Sequence, residues 1–335
     1  MRRALAVLFG LASALALAEV GARLLALEDR WMPSLVFEMS SDVQVHRYAS
    51  DPRLVYELAP SSQATFEDSA PWGDSPRTVT VNALGLRDPE RPPAKPPGTL
   101  RIVCLGGSNT YGAAVNDGST WPAALERALR AEGRSVEVWN AGVSGWMTPQ
   151  KVVLAERAIA QWQPDVLLFQ LFNTGPRNLF VPDGRLDWRR QVQGDPTLWR
   201  DHLRWASTPG FHTSALVRAV VLAANRLDRD GLEPGARIEE LEVAARNRGR
   251  DSYRALRAAH PDLAMALVVV PAGGHAEWWD EEIDGPVLDL RAIERPDLPG
   301  IDDIHPGADA YAWYGRELAR LLSRRILPAP PGSPP

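Results

Sequence analysis

Two clusters far apart in the chain hold a serine, a histidine and a carboxylate in arrangements that can do chemistry together. Gly106-Gly107-Ser108-Asn109-Thr110-Tyr111-Gly112 sets a hydroxyl directly after two glycines, and Asp302-Asp303-Ile304-His305-Pro306 sets acid and imidazole three residues apart. A serine hydroxyl is a poor nucleophile until a base removes its proton, and a histidine oriented by a carboxylate is the usual base. On one loop, Asp302 can face one ring nitrogen of His305 while the other faces Ser108. Asp303 competes for the orienting role, and the spacing favours Asp302. A tetrahedral oxyanion then needs preorganised donors. The amide of Ser108, the amide of Gly145 in Asn140-Ala141-Gly142-Val143-Ser144-Gly145 and the side chain of Asn173 in Asn173-Thr174-Gly175 can supply them. Gly142 is an alternative to Gly145, and Asn173 otherwise only ends a strand.

These residues are useful only if separate elements carry them to one place. After Gly98 the sequence alternates strand and helix. Strands are expected at Leu100–Leu105, Val136–Trp139, Asp165–Phe172, Leu263–Val270 and Val287–Leu290. Helices are expected at Ser119–Glu132, Thr148–Trp162 and Asp309–Arg324. Apolar runs separated by amphipathic segments indicate a parallel sheet covered on both faces. In such a sheet ligands gather at the carboxyl ends of the strands, where all four clusters fall.

The four clusters, in this order, resemble the conserved blocks of the SGNH or GDSL-like hydrolases over about residues 99–325: the GDS block at Ser108, the glycine block at Gly145, the GxND block at Asn173 and the DxxH block at Asp302 and His305. The resemblance implies a three-layer α/β/α flavodoxin-like fold. It also implies ester hydrolysis or acyl transfer without a metal or other cofactor. Asn82 to Arg87 resembles extracytoplasmic, membrane-anchored bacterial members. Gly107 and Thr174 depart from the family, which commonly has Asp at both positions; this bears on the hydrogen bonds that hold the site.

Met1-Arg2-Arg3 followed by an uncharged stretch from Ala4 to Ala18 is what export machinery reads. Ala16-Leu17-Ala18 fits a cleavage site, whereas the helical pattern continues to Leu27 with Glu19 and Arg23 spaced to pair on one face. A retained inner-membrane anchor facing the periplasm is favoured over a secreted, cleaved form. Both put the rest of the chain outside the cytoplasm.

The expected organisation is an anchor or signal segment at 1–27, an extended section with a Pro-rich linker at 28–98, a hydrolase domain at 99–326 and a disordered tail at 327–335. The domain carries an insertion at 176–260, with helices at Ser214–Leu227 and Ile238–Ala259. A net charge of −5 gives no reason to expect nucleic acid as a partner. With one cysteine, Cys104, no internal disulfide can form, and its apolar neighbours make it a core residue. His46, His202, His212, His260 and His275 show no metal-ligand spacing. Trp146 and the pair Trp278-Trp279 are candidates either for a substrate groove or for burial. The expected substrate is an acylated small molecule, glycan or lipid, and the membrane is a partner through the N-terminal helix. Acyl transfer to a polysaccharide, or binding without catalysis on the same fold, are the alternatives.

Overall fold

A computed structural model of the chain describes residues 2–25, 27, 43–54, 56–67, 71–171, 209–210, 213–231, 247, 249–271 and 279–329. The chain divides into two compact units.

The first unit comprises Met1–Met39, Ser50–Val55 and Gly175–Ala245. Helix α1 (Arg2–Leu24) is its first element, and its apolar side chains, among them Leu8, Phe9, Leu11 and Leu17, are exposed. Its 23 residues rise about 35 Å at ~1.5 Å each, enough for a hydrocarbon core of about 30 Å. It is long and apolar enough to cross a membrane, a property that signal sequences near an N-terminus share.

Near the C-terminal end of α1, Arg23 donates to Glu19 at 2.7 Å, the pairing predicted from their spacing. The Glu19 carboxylate also accepts from the Ser214 hydroxyl at 2.7 Å and from the amides of Ala215 and Leu216, each at 2.9 Å. The first amides of a helix have no acceptor within it. Glu19 therefore caps the helix at Ala215–Gly231, which the sequence places at Ser214–Leu227.

The second unit comprises Ser40–Ala49, Tyr56–Thr174 and Arg246–Pro335. It opens with two antiparallel pairs, β1 (His46–Tyr48) with β2 (Tyr56–Leu58) and β3 (Gln63–Phe66) with β4 (Arg77–Thr80). Then come β5 (Leu100–Gly106), α2 (Ser108–Tyr111), α3 (Trp121–Ala131), β6 (Val136–Gly142), α4 (Thr148–Trp162) and β7 (Val166–Leu171). A helix at 249–259 follows, then β8 (Ala264–Val269), β9 (Val287–Asp289) and the last helix, Ala308–Arg325. The helix expected from Ile238 lies outside the described residues for most of its first half.

The main sheet is parallel, five-stranded and ordered β6-β5-β7-β8-β9. Counted by appearance that order is 2-1-3-4-5, the flavodoxin-like arrangement. Strand β7 is buried along its whole length, as a strand covered on both faces must be. Trp121, Leu125, Tyr311, Tyr314 and Leu318 fill the layer between the sheet and the helices on one side. There α3 and the last helix cross so closely that a Cβ on Gly315 would lie 2.4 Å from that of Ala124. Cys104 is fully buried in this core, and burial pushes its thiol well above the ordinary range.

Two of the differences in boundary from the sequence reading have a visible cause. Strand β6 runs on to Gly142 because Asn140, Ala141 and Gly142 stay in register with Cys104, Leu105 and Gly106. The cap of α4 is Met147 rather than Thr148, and the Gln150 side chain accepts from the Met147 amide at 3.0 Å.

Candidate active site

Ser108 is the first residue of α2, so its amide points out of the helix without an internal acceptor. The glycines around it allow α2 to lie directly on the strand ends. A Cβ at Gly106 would sit 1.8 Å from the Thr110 hydroxyl oxygen, and one at Gly142 would sit 2.3 Å from the Tyr111 backbone nitrogen. Both positions must stay small. A Cβ at Gly107 would meet only the Trp146 carbonyl oxygen, at 3.5 Å, an ordinary contact. Steric demand therefore does not explain glycine at 107, where the resembled family has Asp. The same contact shows that the Gly145-Trp146 turn lies beside the residue preceding Ser108.

Beneath α2 the Thr110 hydroxyl donates to the Gln170 side-chain oxygen at 3.2 Å, and the Lys151 Nζ donates to the Gln170 carbonyl at 2.9 Å. Lys151 is buried, and burial lowers its pKa to about 7.

At the other end of α2, Gly112 takes φ +90, a left-handed cap. Arg87, its side chain 1% exposed, closes that end. It donates to the carbonyls of Tyr111 at 2.9 Å, Gly112 at 2.6 Å and Val115 at 2.5 Å, and stacks 4.9 Å from the Tyr111 ring centre. A cation suits the carbonyl end of a helix. The turn that presents Arg87 is built by Asn82, whose side-chain oxygen accepts from the amides of Leu84 and Leu86, both at 3.0 Å. Neither the resemblance of this segment nor its turn-forming residues signals that the arginine is buried.

Gly145 takes φ +75, a conformation that favours glycine. The preceding carbonyl, of Ser144, accepts from the Tyr56 hydroxyl at 2.8 Å. Trp146 is buried and donates to the Tyr56 carbonyl at 3.1 Å, so of its two readings burial holds. Trp279 is also buried, edge-on to Tyr253 at 5.3 Å. Asn173, Thr174 and Trp278 lie outside the described residues.

The His305 loop reaches this place from the far end of the chain. The Asn109 side chain donates to the Ile304 carbonyl at 3.3 Å, so the residue after Ser108 touches the residue before His305. Asp303 accepts from the His305 amide at 3.0 Å. Asp302 is 63% exposed at its side chain and is paired with Arg295. Among the described residues there is no group of three or more His, Cys, Asp or Glu that could hold a metal.

The class that fold and site define is a doubly wound α/β protein with a serine-bearing turn at the end of its first parallel strand and a histidine loop beside it. No protein-family model and no curated protein matches the chain. Solved structures resemble it at low identity. Psychrotrophic esterase EstA from a Pseudoalteromonas species is 14% identical over 67% of this chain and 97% of its own, with a TM-score of 0.37. AlinE4, an SGNH-hydrolase family esterase, is 18% identical over 70% of this chain and 100% of its own, at 0.32. The acetyl xylan esterase Est2A from the rumen bacterium Butyrivibrio proteoclasticus is 14% identical over 69% of this chain and 65% of its own, at 0.33. At such scores the strand order, not the likeness, defines the fold.

Proposed function

We propose that the chain is a serine ester hydrolase of the SGNH type, acting outside the cytoplasm on an O-acylated carbohydrate or lipid. The observation that carries this reading is the Asn109–Ile304 hydrogen bond, which draws the Ser108 turn and the His305 loop together at the carboxyl edge of the sheet. Neutral His305 takes the proton of Ser108 as its Oγ attacks the acyl carbon. The amides of Ser108 and Gly145 and the side chain of Asn173 hold the oxyanion. The alcohol departs with the proton from His305, and water then cleaves the acyl-serine with the same base. Asp302 orients the imidazole.

The test is to react the protein with a fluorophosphonate and locate the labelled residue. Ser108 is expected; a label elsewhere, or none, overturns the reading.

The anchor is read as retained. Helix α1 continues unbroken through Ala16-Leu17-Ala18, and Glu19, just beyond, caps a helix in the same unit. Protein isolated from membranes should begin at Met1 or Arg2. A mature chain starting at Glu19 would show cleavage.

A further inference from the structure

We propose that Trp72, from the section ahead of the parallel sheet, is a positioning residue for His305; this rests on the esterase reading above. Its indole N–H donates to the His305 carbonyl at 2.9 Å. With Asp303 accepting from the His305 amide at 3.0 Å, the histidine's backbone is held from both sides.

The His305 loop is shaped to receive Trp72. A Cβ at Gly300 would lie 2.5 Å from the indole ring, and one at Gly307 would lie 2.6 Å from the Trp72 carbonyl oxygen. Glycines thus flank the loop at the two points where Trp72 presses on it, and Gly300 also takes φ +69.

The same segment grips the nucleophile side. The Asp74 amide donates to the Ala114 carbonyl at 2.9 Å, and the Asp74 carboxylate accepts from the Asn116 amide at 2.6 Å. The Asn116 side chain in turn accepts from the Thr78 amide at 2.7 Å. Ala114 and Asn116 lie in the loop that leaves α2, the helix begun by Ser108. Residues 72–78 therefore strap the base loop to the nucleophile loop. A base displaced by a fraction of an ångström loses rate without losing substrate, because proton transfer depends on geometry more steeply than binding does.

The test compares Trp72→Phe and Trp72→Ala with the full-length protein in detergent. It measures kcat and KM on a chromogenic acetyl ester and the rate of fluorophosphonate labelling at Ser108. Phe keeps an aromatic ring against Gly300 while removing the N–H donor and the outer part of the indole, so it keeps the test informative if the Ala variant does not fold. Trp72→Phe should lower kcat and the labelling rate together by roughly threefold to tenfold, and Trp72→Ala by roughly 10–100-fold, with KM within about twofold. Trp139→Phe, at a buried tryptophan of β6, should leave the kcat of folded protein unchanged. Wild-type rates in Trp72→Phe, or a loss confined to KM, overturn the positioning role while wild-type labelling at Ser108 leaves the esterase reading standing. A wild-type protein that takes no label at Ser108 removes both.

Discussion

Asn109 and Ile304 are 195 positions apart in sequence and share one hydrogen bond, from the Asn109 side-chain amide to the Ile304 carbonyl at 3.3 Å. Each sits next to a residue proposed to do chemistry. Asn109→Ala removes that bond without touching Ser108 or His305, so kcat should fall by about tenfold with KM little changed. Steady-state kinetics on a simple acetyl ester provide the check; unchanged kcat would show that the bond only decorates the site.

Ser108→Ala should abolish turnover while leaving stability intact, since it removes one hydroxyl of a partly exposed residue. Losses at such nucleophiles are on the order of 10⁴-fold or more. Retained activity in a well-folded variant would sink the nucleophile assignment.

The proposed orienting role of Asp302 has a sharp competitor test. Asp302→Asn should cut kcat by up to about 10⁴-fold, and Asp303→Asn much less. Arg295 holds Asp302 in this structure. Arg295→Gln, which frees that carboxylate for the imidazole, should leave kcat unchanged or raise it. A larger loss from Asp303→Asn would move the role to Asp303.

Lys151 makes stability depend on pH. Burial lowers its pKa from a lysine's ordinary 10.5 to about 7. Between those values the unfolded chain binds a proton that the folded chain does not, so stability rises with pH from about 7 to about 10.5. Lys151→Met should flatten that rise. It should also stabilise the protein at pH 7, by an amount on the order of a few kcal/mol at most. Urea melts at pH 7 and pH 9 decide it; an unchanged slope would place the proton elsewhere.

The glycines of the site should separate by their surroundings. Gly142→Ala drives a methyl against the Tyr111 backbone and should cost roughly 1–3 kcal/mol or more, the usual penalty of overpacking. Gly107→Ala has room and should cost far less. Thermal melts of the two variants should differ clearly; equal shifts would mean that α2 can move away from β6.

The sequence by itself determined the succession of strands and helices along the chain and the chemical types at the strand ends. Those are local properties: an apolar run covered on both faces reads as such, and Ser119-Thr120 reads as a helix cap, with Thr120 the residue that caps. The tertiary structure decided the supports. That Arg87 would turn inward to close α2, that Lys151 would be buried under Gln170, and that Trp72 would reach the His305 carbonyl depend on partners distant in sequence. Trp146 shows the same limit from the other side: its place next to Gly145 left groove and core equally open until Tyr56 enclosed it. Periodicity encodes which face of an element is buried, but not which distant loop will come to cover its end, because that is fixed only when the whole chain packs.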